Sequence, residues 1–599
     1  MRSGKRIGSA VVLLCCGVLL TAGMLYGQKG GSPPPSYQPG SHVPSAPMPN
    51  VSTVPQFQSF DKSPLKFSAR AYYVLVPVLV HDKNNQHVGG LDKDFFQLFE
   101  DGKEQKISSV DEIKTSTSPV VAAARSANEF TNQPTVEGGE RRITVIALDL
   151  INTPFLDQAG GRQAAIKFLA ENISGDSLFQ LVTLDNNGVH VVHDFTSDTA
   201  VLVKALKAVS SKFSSTNTID RTLVRQGSTN PGDVDSAHGI VYTNAGGVQG
   251  VDFESTALTL MAGAEKQYAE YQDGLAAAST LEGFQQIAQR LNGIPGRKSL
   301  IWITGSFPFT IDTGTNTIST GVSWDGYMRA MQMLNAANVV LYPVDARGLV
   351  IADQADASMH LTGKALATLP DSMNAASRDH ADTLATMRAF AEMTGGRAYL
   401  NRNDLERALR EANEDGASYY MLSYALDKNN TKPGWRKFKV VVKKPDCHVR
   451  TRAGFFISRQ TLDPNNTEKV DIFNALNSPL EYTSIPVRVK LDATADSGKN
   501  KKIGFALFVP PNVAKVDEKN HLSFEVWYTV RDAKGKDVAH KNQIYNVDLT
   551  PVMLAQLQSQ GIGYNDTVEL PPGRYNLRVV VRDNFTGQMG SLWAPLKME

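Results

Sequence analysis

Cysteine and net charge are what this chain has least of. Three cysteines occur in 599 residues, and two of them, Cys15 and Cys16, sit in an apolar stretch near the amino end. With that stretch removed Cys447 stands alone, so no internal disulfide is expected and burial has to hold the cores together. Sixty-one Lys and Arg against sixty Asp and Glu leave a net charge of +1. That balance gives no bulk electrostatic case for nucleic acid or an anionic membrane. Past Leu20 no run approaches the ~18 consecutive apolar residues of a membrane span. The sequence has no G-x-x-x-x-G-K-[ST] loop, no H-E-x-x-H and no paired C-x-x-C. Their absence argues against a phosphate-cradling ATPase and against the common zinc sites.

What is present begins with a targeting pattern. Arg2, Lys5 and Arg6 precede an apolar run, Ile7 to Leu20, and small residues follow at Thr21, Ala22, Gly23 and Gly27. Residues 1–27 read as a signal peptide cleaved near Gly23 or Gly27. The mature protein is then expected outside the cytoplasm, in the periplasm, in the cell envelope or secreted, with membrane contact only if the segment stays uncleaved. Residues 28–66, rich in Pro, Ser and Gly, read as a linker.

The rest of the chain divides by pattern. Residues 67–115 read as a small β module, with a strand over Tyr72–Val80 and a turn at Asp101–Gly102. Pro77 favours an edge position or a bulge for that strand. Residues 116–139 read as a second linker. From 140 to 425 apolar, β-branched runs alternate with helical patterns, with insertions near 211–252 and 348–380. The runs 143–148, 178–184, 299–304 and 339–344 look like strands buried on both faces. The expected class is therefore α/β: a Rossmann-like, doubly wound, mostly parallel sheet. Residues 426–458 read as a β extension and 459–484 as a linker. Residues 485–599 read as an immunoglobulin-like β-sandwich with no long helix.

Several blocks resemble the von Willebrand factor A-related proteins typical of acidobacteria. They are Val78–Asp82, Asp94–Gly102, Leu148–Pro154, Asp194–Asp198, Ile294–Trp302, Thr394–Arg397 and Arg452–Phe455. Their order over residues 70–457 carries the resemblance. Leu570–Tyr575 with Asp583–Gly587 looks like the β domain often appended to such chains. The resemblance implies an A domain with a binding or assembly role and no enzymatic activity.

It also implies a metal-ion-dependent adhesion site, D-x-S-x-S after the first strand. Asp149 holds the first position and Thr153 the last, and these two are the candidate metal residues. The first serine position is Ile151, the later aspartate position is Gly305 followed by Ser306, and the intermediate threonine has only Thr216 or Thr218 to offer. A hard cation wants oxygen ligands, so the site reads as degenerate. No cofactor is expected, and Mg²⁺ is the one cation with any support. The other role open to Asp149 and Thr153 is capping the helix that follows.

No catalytic residues are assigned. The expected function is an exported, non-enzymatic binding or scaffold protein that engages a protein or a cell-surface ligand, as in adhesion, and no nucleic acid. The alternative is an extracytoplasmic hydrolase with its active site in the 211–252 insertion. Asp233, Asp235 and His238 form the close acid/histidine group there.

Overall fold

The computed structural model describes residues 73–118, 128–134, 140–171, 175–210, 253–307, 311–312, 317–318, 324–349, 380–426, 434–457 and 464–599. The expected signal and first linker lie outside the described residues. So do the whole 211–252 insertion, with Thr216, Thr218, Asp233, Asp235 and His238, and most of 348–380.

A five-stranded sheet occupies the middle of the chain. Its order is Val339–Asp345, Lys298–Thr304, Arg142–Asp149, Ser177–Asp185, Gly188–Thr196. The first four strands run parallel. They are buried almost end to end, because helices cover both faces and no position can be polar-facing. On one face Val145, Ala147, Val182, Leu300 and Trp302 pack with helices Phe253–Leu291 and Trp324–Ala336. On the other, Ile146, Leu148, Ile301 and Ile303 meet helices Phe155–Glu171, Thr199–Ala208 and Leu405–Glu414. The fifth strand folds back antiparallel through a tight turn at Gly188, where φ is +104°.

The expected class is nonetheless corrected. Among the described residues every strand pairing but three is antiparallel, and those three all lie in this one sheet. The protein is mostly antiparallel β, not a doubly wound, mostly parallel α/β chain. Four uninterrupted apolar runs dominate the hydrophobic pattern, whereas the antiparallel strands alternate between buried and exposed positions and are individually faint. They outnumber the parallel ones all the same.

Two antiparallel sandwiches account for most of them. In the first, strands from both sides of the middle sheet in sequence interleave. Tyr73–His81 lies between His448–Thr451 and Ser418–Ala425, and Ser418–Ala425 also pairs with Ile107–Lys114. The facing sheet joins Gly454–Ile457, Gly434–Val442, Phe96–Glu100 and Lys103–Gln105. Val76, Val78, Val80, Leu98, Tyr420, Leu422 and Phe438 fill the space between. Pro77 sits in an inner strand rather than at an edge. Its missing N–H is tolerated because the neighbouring strand His448–Thr451 pairs only from Val78 onward.

The second sandwich pairs the sheet Asp537–Asp548, His521–Asp532, Gly573–Asp583, Met589–Met598 with one built on Asn500–Val509. The immunoglobulin-like expectation needs correcting here too. Helix Pro551–Gln560, capped by Thr550, buries Met553 and Leu557 in the core. One strand, Glu129–Thr131, comes from the segment expected to be a linker and pairs with Arg488–Leu491. Asn132 fixes it: its Nδ2 donates to the carbonyls of Tyr482 and Ile485, and its Oδ1 accepts from the Val487 amide. The 459–484 segment holds helix Pro464–Asn477. Among the described residues no helix is long and apolar enough to cross a membrane.

Candidate functional site

Asp149 ends the central strand of the five-stranded sheet, at the carboxyl rim where open sheets commonly hold ligands. Its carboxylate is 2% exposed and surrounded by donors. Oδ1 accepts from the backbone amides of Ile151 and Asn152, each at 2.9 Å. Oδ2 accepts from Asn152 Nδ2 at 2.8 Å, Trp302 Nε1 at 3.1 Å and Thr304 Oγ1 at 2.8 Å. Burial pushes this carboxyl above its ordinary pKa, and the bonds from Asn152, Thr304 and Ile151 pull against it. Asn152 also donates to Thr280 Oγ1, which ties the long helix to the rim, and its own Oδ1 is buried without a partner.

Thr153 is bound to the neighbouring strand end. Its Oγ1 accepts from the Gly305 amide at 3.0 Å, and Ser306 Oγ donates to the Asn152 carbonyl. A Cβ on Gly305 would stand 2.7 Å from Pro154 Cδ and 3.2 Å from Thr153 Cα. The backbones approach too closely for any side chain there, which gives a physical reason for glycine at the position where a metal site would carry aspartate. Asp149 does not cap the following helix through its two backbone bonds: these stay within the loop, and the helix begins at Phe155.

These residues do not fit a divalent cation. Such an ion needs several oxygen ligands and open positions. Four of the five groups on Asp149 are N–H donors, and Ile151 adds no oxygen. A cation at Oδ2 would have to displace Asn152 and Trp302. Among the described residues no three His, Cys, Asp or Glu side chains converge as a metal site.

The other two acids at strand ends are also engaged. Asp345 is held by Arg347 through two parallel bonds of 2.9 Å, and Asp185 by His190 Nε2 at 2.9 Å. His193 Nδ1 lies 2.7 Å from the Asp194 carbonyl oxygen.

Three further blocks, Ile294–Trp302, Thr394–Arg397 and Arg452–Phe455, lie at junctions. Arg297, 4% exposed, donates to the carbonyls of Asp415 and Gly395. Thr394 Oγ1 accepts the Leu341 amide, and a Cβ on Gly396 would lie 2.0 Å from the Leu341 carbonyl oxygen. Arg452 donates to the carbonyls of Asn335 and Leu75, and the Ala453 amide to that of Glu392. Ile294–Trp302, Thr394–Arg397 and Arg452–Phe455 thus fasten the first sandwich to the middle layer. Sequence pattern alone gave these blocks no role, because their partners lie up to hundreds of residues away.

Lys298, inside the same block, is 2% exposed, and its Nζ donates to the Ile294 carbonyl at 2.5 Å. Burial holds its amine down at about 7. The folded protein therefore sheds this proton well before the unfolded chain does, and stability rises with pH above about 7. Below that value the whole penalty is present. Lys298→Met is expected to raise Tm at pH 6, by up to about 5 kcal/mol in stability, and to lose that advantage towards pH 10. Melting curves at several pH values would show it; a gain independent of pH would refute it.

Comparison with known proteins adds little. No family model matches the chain, and no curated protein does. Of the solved structures, one likeness is to a putative β-galactosidase from Bacteroides fragilis, with 13% identity, 31% of this chain and 24% of that chain covered, and a TM-score of 0.14. Another is to an endonuclease/exonuclease/phosphatase from Beutenbergia cavernae, with 9% identity, 31% and 39% covered, and a TM-score of 0.11. The chain spans about a quarter and two fifths of these structures' lengths, and scores so low carry no argument about fold or activity.

Proposed function

We propose that this is an exported, non-enzymatic binding or scaffold protein related in sequence to the von Willebrand factor A-related proteins, and that it binds a protein or cell-surface ligand without a cation at Asp149. The observation that carries this reading is the saturated Asp149 carboxylate. The acid best placed for chemistry on the sheet rim already accepts five hydrogen bonds from neutral donors, so its role is to set the shape of the rim. The rigid fastening of the middle layer to a sandwich on either side suits a protein that presents a surface at fixed geometry.

The test has two arms. Mg²⁺ or Mn²⁺ titration is expected to leave Tm unchanged apart from ionic strength; a saturable rise that disappears in Asp149→Ala would overturn the cation-free site. Pull-down from envelope extract is expected to return a partner equally well with EDTA and with Mg²⁺. Turnover in a broad hydrolase screen, abolished in His238→Ala, would replace the binding reading with an enzymatic one.

A further inference from the structure

We propose that the junction between the first sandwich and the middle layer binds a small oxyanion, with phosphate as its type, through Arg450, Arg397 and His448. The strand register places the first of these cations. His81 pairs with His448, and Leu79 with Arg450. Directly paired residues of antiparallel strands share a face, as do residues two apart. His81, His448 and Arg450 therefore lie on one face, opposite Val78 and Val80, which point into the sandwich core.

The middle layer brings more positive charge to that face. Arg397 carries an exposed guanidinium whose Nη2 reaches Asn85 Oδ1 across the junction, at 3.5 Å. Arg297, buried, donates to the carbonyls of Asp415 and Gly395 and lies over the Tyr342 ring. The Asp415 carboxylate is bound by Arg450 Nη2. Asp415, Arg450 and Arg397 all act on His81, so guanidiniums from the sandwich and from the middle layer meet at this face.

The second observation is independent of charge. Arg450 Nε and Nη1 are buried and have no hydrogen-bond partner. Buried guanidinium donors without acceptors cost free energy, and a planar fork with free N–H groups suits an oxyanion. An anion held by Arg450, with Arg397 and His448 at the outer side, would supply the acceptors that Nε and Nη1 lack.

The test uses the full-length protein, with inorganic phosphate and a phosphomonoester such as phosphoserine as probes and NaCl at matched ionic strength as the control. Phosphate is expected to raise Tm saturably beyond the control. The double variant Arg397→Gln/His448→Gln, whose changes are at exposed positions, is expected to fold and to weaken binding at least tenfold. Arg450→Gln is expected to abolish the effect. If phosphoserine binds as well as phosphate, the source is an ester group; if phosphate alone binds, it is the free ion. A phosphate effect no larger than that of NaCl, or one undiminished in the double variant, overturns the proposal.

Discussion

Arg290→Met is expected to cost about 3–5 kcal/mol of stability, the usual result of removing one partner from a buried ion pair. Arg290 is 4% exposed and lies between two carboxylates: Nη2 is 3.0 Å from Asp194 Oδ1 and Nη1 is 3.3 Å from Glu481 Oε2. Nη1 also donates to the Asn132 carbonyl, and the guanidinium lies over the Phe195 ring. Burial pushes Asp194 up, but Arg290, the Phe195 amide and Gln180 together outweigh it and the carboxyl stays below its usual range. Glu481 stays raised by its burial in spite of the same arginine. Methionine keeps much of the stem's packing and leaves both acids without their cation.

The effect should also be directional, because this arginine joins two parts of the molecule. Around it Thr483 Oγ1 donates to the Arg290 carbonyl at 2.6 Å and accepts the Gly293 amide, while Asn292 Nδ2 donates to Ser484 Oγ. A Cβ on Gly293 would fall 1.6 Å from the Thr483 carbonyl oxygen. With the arginine gone, calorimetry is expected to show the second sandwich melting apart from the middle layer, where the wild type melts with it. A single transition shifted by less than the equivalent of about 1 kcal/mol would mean the pair is worth no more than a surface salt bridge.

The other large effect is expected at the rim. Asp149→Ala removes the acceptor for five donors in one step. Each buried donor left unmade costs roughly 1–3 kcal/mol. Relaxation and water entry will recover part of that, so a net loss on the order of 4 kcal/mol is expected. Asp149→Asn should cost less, since an amide oxygen can still serve the Ile151 and Asn152 amides while its nitrogen opposes Trp302 Nε1. Trp302 reports the change directly: its buried indole donates to Oδ2, and its emission should shift to the red in the alanine variant. Unchanged melting and emission would show that the carboxylate network has no part in holding the rim.

Much of this was legible in the residues, unevenly. The runs at 143–148 and 299–304 announced buried strands because both faces are covered by helices. The turn at Asp101–Gly102, where both residues have positive φ, and the placement of Asp149 at a strand end follow from local chemistry. The class of the whole protein did not follow. Short alternating strands such as Glu129–Thr131 and Lys103–Gln105 are weak signals, and they find partners far away in sequence. The neighbours of Asp149 were hidden for the same reason: Trp302 and Thr304 lie 153 and 155 residues on.

Residue pattern alone was enough for the long buried strands of the middle sheet and the helices between them, and for the lack at residues 151 and 305 of the oxygens a cation would want. Those are local properties, written in periodicity, in φ preferences and in side-chain chemistry. It took the packed fold to show that antiparallel pairing prevails, that Asp149 spends its lone pairs on neutral donors, and that the arginines at 290, 297 and 452 are fasteners between layers. Pairing partners and hydrogen-bond acceptors separated by hundreds of residues leave no mark on the local pattern, because what selects them is burial: each polar group removed from water must find a partner wherever the fold brings one.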